Sequence, residues 1–304
     1  MCQIKIIACG GSGTCVLNSL LKKGKLDSEQ IEIYLVNSDA GSLKKSDVNN
    51  KILIGNTGLG CGGDTQKAKQ YLEQANDKIK NILKDTDLLI LTTGMGGGTG
   101  TAAVCEIAKT AKEQNIFTVA VVSMPFTAEG LLRITVAENG LKELKEYTKA
   151  VFVAENDKIF SYIGDTASWT VNFGVIDSVA AEAINSIIIT VNNNVAGGTG
   201  IDICDFEYMA ENSKQITLKR GVGSTIEEAF NNATANNVYG NFDISKAERI
   251  FITTIYDKNA AIIPDIKYLN NEIKNKFSNY KSCKIQTLQQ SNINYIQIVM
   301  ILSF

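Results

Sequence analysis

The chain has 304 residues, 44% apolar and 20% charged, enough to bury a sizeable core in about two domains. Its 30 basic and 32 acidic residues leave a net charge of −2, so no bulk field draws it to nucleic acid or to an anionic membrane. Histidine is absent, which removes the commonest acid–base group and metal ligand and leaves carboxylates, hydroxyls, backbone amides and a bound cation to carry any chemistry. The seven cysteines (Cys2, Cys9, Cys15, Cys61, Cys105, Cys204, Cys283) are odd in number and never spaced C-x-x-C, so they read as reduced, packed thiols and not as a disulfide framework or zinc site. No apolar run approaches the ~20 residues of a membrane span and no signal-peptide pattern opens the chain, so a cytoplasmic protein without direct membrane binding is expected.

In chain order, residues 4–9, 31–36, 88–91, 117–122 and 151–154 are continuous apolar runs, the pattern of strands buried on both faces of a parallel sheet. Residues 16–23, 65–84, 101–114 and 129–148 have helical spacing between them, which predicts a βαβ series. Pro125 ends a strand where a loop must begin. Residues 173–194 form a long helix with a broad apolar face (Val175, Ile176, Val179, Ala183, Ile184, Ile187, Ile188), a spine between two domains. Past it come a glycine-rich turn (Gly197, Gly198, Gly200), a short acidic stretch, strand-like 251–255 and 295–302, and helical 226–235 and 266–277. The expected organisation is an α/β domain over 1–172, a central helix over 173–196 and a smaller α+β domain over 197–304.

Three glycine-rich segments punctuate the first half: Gly10-Gly11-Ser12-Gly13-Thr14, Gly58-Leu59-Gly60-Cys61-Gly62-Gly63-Asp64, and Gly94-Met95-Gly96-Gly97-Gly98-Thr99-Gly100-Thr101. Glycine at a strand-to-helix turn permits positive φ and lets backbone amides approach a ligand, and a helix beginning there adds an anion site. Residues 10–13 alone fit a tight turn as well as a dinucleotide fold. Three such segments on one edge of a parallel sheet point to phosphates, since ligands bind outside the carboxyl ends of the strands. No G-x-x-x-x-G-K-[ST] is present, which excludes a Walker-type loop. A nicotinamide-binding dehydrogenase would need one glycine loop and an acid after strand two, for which Asp39 could serve, and would leave the other two loops idle.

The third segment in its setting, Thr92-Thr93 followed by Gly94–Thr101, resembles the tubulin/FtsZ signature, and bacterial FtsZ more closely than eukaryotic tubulin. Val36-Asn37-Ser38-Asp39-Ala40, the loop at 58–63, Met124-Pro125-Phe126 with Glu129-Gly130-Leu131-Leu132-Arg133, and Asn156-Asp157-Lys158 follow in the family's order. The resemblance covers residues 4–210 well and the remainder loosely. It implies a tubulin-like fold, a parallel-sheet GTPase domain joined through a long central helix to a smaller α+β domain. It also implies GTP or GDP as ligand, with Mg2+ bound mainly through the phosphates and no protein metal site. Gly10, Gly11, Gly13, Gly62, Gly63, Gly97, Gly98, Thr99 and Gly100 would then wrap the phosphates, and Thr14, Asp39 and Gly96 would also belong to the nucleotide site. Glu129 would bond the ribose, with Arg133 and Asn156 near the sugar.

Phe173 and Asp177 stand four apart on one helix face; a ring there can stack on a purine while the carboxylate accepts from guanine N1–H and the 2-amino group. The pair equally fits a core aromatic beside an exposed acid, and the resemblance favours the guanine contact. Asp202 and Asp205 lie beyond the other end of the helix, which at ~1.5 Å per residue spans roughly 30 Å, so they are either a solvated acidic turn or, if they act on a nucleotide at all, act on that of a second copy. The resemblance implies this arrangement: a GTPase site completed by the adjoining subunit in a head-to-tail homopolymer, working in cell division, with catalysis mostly by positioning and charge stabilisation.

Three departures qualify the resemblance. Cys15 stands where FtsZ has an asparagine that contacts guanine, and a thiol is a weak substitute. The activating segment, usually Asn-x-Asp-x-x-Asp, reads Gly200-Ile201-Asp202-Ile203-Cys204-Asp205, keeping both carboxylates and losing the asparagine. No disordered linker and terminal peptide follow the last apolar run, so either that tail has been removed or this protein does not use it for tethering. Slower or altered hydrolysis is expected. The alternatives are a hydrolysis-impaired paralogue serving a plasmid, phage or regulatory role, and a nicotinamide-dependent oxidoreductase.

Overall fold

The computed structural model describes residues 2–22, 29–163, 169–191, 197–258 and 266–304, in two compact units, Met1–Asn185 and Ser186–Phe304. The first unit contains the strands β1 (Ile4–Cys9), β2 (Ile31–Asn37), β3 (Asn50–Leu53), β4 (Leu88–Gly94), β5 (Phe117–Met124) and β6 (Ala150–Glu155). They form one parallel sheet in the order β3-β2-β1-β4-β5-β6. Its helices are α1 (Gly10–Lys22), α2 (Ala40–Lys44), α3 (Thr65–Gln74), α4 (Asn76–Ile82), α5 (Gly98–Glu113), α6 (Leu131–Tyr147) and α7 (Asn156–Ile163). Every residue of β1 is buried, and so are the first six of β4, as helices on both faces of a parallel sheet require. The α/β fold expected from the apolar runs is the one observed.

Local chemistry sets the ends of these helices. Asp64 caps α3, its carboxylate accepting from Gln66 N and Lys67 N, which satisfies two of the N–H groups a helix start leaves open. The single helix expected over 65–84 is broken at Ala75 (φ −96°, ψ 4°) into α3 and α4. Ala68, Leu72, Ala75, Ile79 and Leu83 are all buried, so the apolar stripe runs on across the break and the sequence pattern conceals it. Asn115, at φ +56°, stops α5, and Gly130, at φ +95°, opens α6, splitting the helix expected over 129–148 into a 3-10 turn at Thr127–Glu129 and α6.

Helix α8 (Trp169–Val191) runs 23 residues from the first unit into the second, about 35 Å of axis. Its Gly174–Val191 stretch, with mean hydropathy 1.5, is long and apolar enough to cross a membrane by length and composition, against the expectation that no such run exists. Of that stretch 61% is buried within the protein, as in the core helix of a folded domain.

The second unit contains β7 (Gly197–Gly198), α9 (Ile203–Glu211), β8 (Ile216–Gly223), α10 (Ile226–Ala235), β9 (Arg249–Asp257), α11 (Ile266–Lys276), β10 (Ser282–Gln290) and β11 (Ile296–Ser303). The sheet order is β7-β10-β9-β11-β8; β9 and β10 are parallel and the other pairs antiparallel. Helix α10 lies directly on β8: a Cβ added at Gly221 would fall 2.1 Å from Ala229 O and 2.2 Å from Ala233 N. At the end of that helix the buried Lys219 donates to Thr234 O, Asn236 O and Asn237 Oδ1 at 3.2, 2.6 and 2.9 Å, satisfying carbonyls the helix cannot.

Candidate nucleotide site

Strand β1 passes into α1 without an intervening loop, because Gly10, the first helical residue, takes φ +71°. The helix expected from residue 16 thus begins six residues earlier, and residues 10–13 are its opening turn. The glycine segments meet there, backbone to backbone. A Cβ at Gly10 would lie 3.0 Å from both Cα and N of Gly100, and one at Gly98 would lie 2.7 Å from the carbonyl carbon of Gly63 and 2.8 Å from Asp64 N. A Cβ at Gly96 would lie 2.7 Å from Arg133 O, and one at Gly13 3.1 Å from Thr92 O. Gly11, Gly62, Gly63 and Gly97, by contrast, have no atom within 4 Å of the position a Cβ would take. One side of each segment is therefore locked into the fold and the other is open. Helices α1 and α5 both begin at this edge, so their free N–H groups and positive dipole ends meet where β1 and β4 finish.

Hydroxyls tie the segments together. Ser38 Oγ lies 2.7 Å from Thr99 Oγ1 and accepts from Cys61 Sγ at 3.3 Å, joining the end of β2, the second glycine segment and the start of α5. Gly96 N donates to Thr101 Oγ1 at 2.9 Å. Asp39 caps α2, accepting from Ser42 N at 2.8 Å. Thr14 is buried, and its hydroxyl donates to Gly10 O at 3.0 Å. Ser38 carries no signal of its own in the sequence, although it lies within the Val36–Ala40 motif.

On the β5 and β6 side, Glu129 accepts from Phe126 N at 2.8 Å through one oxygen and pairs with Arg133 Nε at 3.0 Å through the other. Asp157, at the start of α7, accepts from Thr127 N at 3.1 Å and from the Thr127 hydroxyl, which holds the 3-10 turn against that helix. Beside it Asn156 is buried with Oδ1 unpartnered, as are Asn37 Nδ2 and Thr92 Oγ1 at the ends of β2 and β4. Buried polar atoms are nearly always bonded in folded proteins, so three unmet ones along one sheet edge are notable.

Phe173 lies in the second turn of α8, and its side chain falls outside the described residues. Asp177, one turn on, is half-buried, and burial pushes its carboxyl up to about 6. Cys15 on α1 is close enough that the Asp177 charge raises its thiol, adding to the larger effect of partial burial. No group of three or more Cys, Asp or Glu able to hold a metal occurs among the described residues.

The two carboxylates of the second unit have a definite local structure. Asp202 is the N-cap of α9: its Oδ1 accepts from Asp205 N at 2.8 Å, and Asp205 Oδ2 accepts in return from Asp202 N at 3.1 Å, a reciprocal capping box. Asp205 Oδ1 also accepts from Lys284 Nζ at 2.5 Å. Asp202 is exposed and Asp205 half-buried.

A parallel sheet whose carboxyl edge gathers three backbone-walled glycine segments, each leading into a helix, has the arrangement of an α/β domain suited to phosphates. The order of its strands is shared with dinucleotide-binding sheets, so topology alone does not choose the ligand. The chain belongs to the tubulin/FtsZ family: residues 3–164 match the family's GTPase domain. It is 37% identical over 231 residues to the cell division protein FtsZ of Aquifex aeolicus, covering 75% of this chain and 62% of that one. To FtsZ of Buchnera aphidicola it is 29% identical over 297 residues, covering 96% and 76%. Among solved structures, the empty FtsZ dimer of M. jannaschii matches with a TM-score of 0.88 at 24% identity, covering 100% of this chain and 88% of that one. The GTPγS-bound protofilament of CetZ2 from Haloferax volcanii matches at 0.79 and 16% identity, covering 99% and 92%. At these identities the structural likeness shows the fold, and the family assignment sets the nicotinamide-dependent alternative aside.

Proposed function

We propose that this FtsZ-like protein binds GTP at the carboxyl edge of the first sheet and hydrolyses it in a head-to-tail assembly of identical chains, acting in division. The observation that carries the reading is the backbone contact among Gly10–Gly100 and Gly63–Gly98. It leaves Gly11, Gly62, Gly63 and Gly97 with no neighbour where a Cβ would lie, beside the starts of α1 and α5. Backbone amides and helix N-termini brought together in this way suit a polyphosphate. The unmet atoms of Asn37, Thr92 and Asn156 would find partners on the same ligand, with Glu129 and Arg133 at the ribose.

In this reading Phe173 and Asp177 select guanine: an aromatic face for the ring and a carboxylate for N1–H and the 2-amino group, a donor pair that adenine lacks. Mg2+ would be held mainly through the nucleotide's phosphates and would supply charge neutralisation there. Asp202 and Asp205 belong to the second unit and would act on the nucleotide of the next copy, orienting water against the γ-phosphate. What the protein contributes is position and preset charge.

A second reading, assembly with little turnover, draws support from Gly200, where the family's asparagine amide is missing. Phosphate release and light scattering, followed together over a range of protein concentrations with GTP, ATP or NAD, separate the readings. The main reading expects GTP-selective binding and a specific activity that rises with concentration. Turnover independent of concentration would sink the shared site, and assembly without turnover would favour the second reading.

A further inference from the structure

The segment bearing Asp202 and Asp205 is held at both ends by one face of β10. Lys284 and Gln286 stand two apart on that strand, so their side chains share a face. Gln286 is 1% exposed and all of its amide is engaged: Oε1 accepts from Ile201 N at 3.0 Å, and Nε2 donates to Thr190 O at 2.8 Å and to Thr253 Oγ1 at 3.0 Å. It pins the residue just before Asp202 to the last turn of α8 and to β9. Lys284 pins the other end through Asp205 Oδ1. The capping box then links the two carboxylates.

We infer that Lys284 is a positioning residue for GTP hydrolysis, fixing Asp205 and offsetting its charge so that the acidic segment can approach a neighbouring copy's triphosphate. The inference rests on the shared-site reading above. Two carboxylates brought to a polyanion repel it, and like charges placed face to face across an interface weaken association. A lysine bonded to one of them removes half of that charge at the point of contact. Lys284 retains 33% side-chain exposure, so its charge remains felt at the surface. The same bond, with the Asp202 N–H on the other oxygen, leaves Asp205 with a single orientation before any partner arrives, which is how fixed geometry lowers a barrier. Nothing in the activating segment itself, residues 200–205, supplies a positive charge; the cation comes from a strand some eighty residues later.

The test uses Lys284→Met, which keeps the aliphatic stem, beside Lys284→Arg and Asp205→Asn in the full chain, with GTP affinity, assembly and phosphate release measured for each. Lys284→Met is expected to lower turnover per assembled subunit on the order of tenfold with GTP affinity unchanged, and Lys284→Arg to restore most of it. In the Asp205→Asn background, Lys284→Met should remove nothing further from the residual rate, because the lysine acts through Asp205. A Lys284→Met protein as active as the parent, while Asp205→Asn is inactive, overturns this inference and leaves the shared site standing. Equal loss in the Arg and Met variants also overturns it. An Asp205→Asn protein that hydrolyses GTP at the parental rate removes the shared-site reading itself.

Discussion

Ser38 Oγ and Thr99 Oγ1 share a hydrogen bond of 2.7 Å that fastens the end of β2 to the first turn of α5, and the Cys61 thiol completes the junction. Removing the Ser38 hydroxyl should cost about 1 kcal/mol of unfolding free energy. If Thr99 turns to a phosphate when nucleotide binds, the Ser38→Ala deficit in denaturant should shrink with saturating GTP. An equal deficit with and without GTP would show that the Thr99 hydroxyl stays with Ser38.

Two adjacent glycines should respond in opposite ways. At Gly98 a methyl group meets the carbonyl carbon of Gly63 at 2.7 Å and Asp64 N at 2.8 Å, so Gly98→Ala must push these backbone segments apart and should destabilise the first unit by about 1–3 kcal/mol. At Gly97 nothing lies within 4 Å and φ is −90°, so Gly97→Ala should unfold like the parent and bind GTP more weakly. Thermal unfolding without nucleotide and a GTP titration of both proteins check this. A Gly97→Ala protein with parental affinity would move the ligand away from this edge.

Asp177, with its carboxyl raised to about 6 by burial, predicts a pH effect with two signs. The folded state takes up this proton before the unfolded chain does, so the group's contribution to stability rises as pH falls through about 6 toward the ordinary value of 3.8. Nucleotide binding moves the other way, since only the ionised carboxylate accepts from both guanine donors. GTP affinity at pH 5 should therefore be about tenfold below that at pH 7, and Asp177→Asn should be weak and insensitive over the same range. A flat affinity profile in the parent protein would remove Asp177 from the guanine contact.

Burial holds the Lys219 ammonium down at about 8, against an ordinary 10.5. A lysine lowered in the folded state contributes stability that grows as pH rises from about 8 to about 10.5, because the unfolded chain then holds the proton more tightly. Urea unfolding of the second unit should show that rise. Lys219→Met should abolish it and cost about 2 to 4 kcal/mol at neutral pH, through the three acceptors it strands.

Much of the first unit was legible because its strands are apolar without interruption and its glycines fall where helices begin. Leu88–Leu91 could hardly be anything but a central strand. Strand β3, with the pattern Asn-Lys-Ile-Leu at the sheet's edge and only Ile52 less than exposed, carries no comparable signal in the sequence. Strand β8 was hidden for another reason: its interior holds Lys219 and Arg220, and its glycines Gly221 and Gly223 exist to admit α10, so alternation is lost. Strand β10 reads as polar although Gln286 and Thr287 are buried, Gln286 with its whole amide bonded. The carboxylates Asp202 and Asp205 stand out in the sequence through a motif, and their i, i+3 spacing before helix α9 is itself a signal of mutual capping. The partnership with Lys284 could not be read at all, since it depends on register in a sheet.

The walls of the glycine cradle are peptide groups packed on peptide groups. Side chains that close on a ligand surrender rotamer freedom at the moment of binding, whereas a wall of backbone gave up its entropy when the chain folded. In the proposed function a nucleotide meets a shape already made, and the groups left with freedom to register the loss of its terminal phosphate are side chains such as the Thr99 hydroxyl.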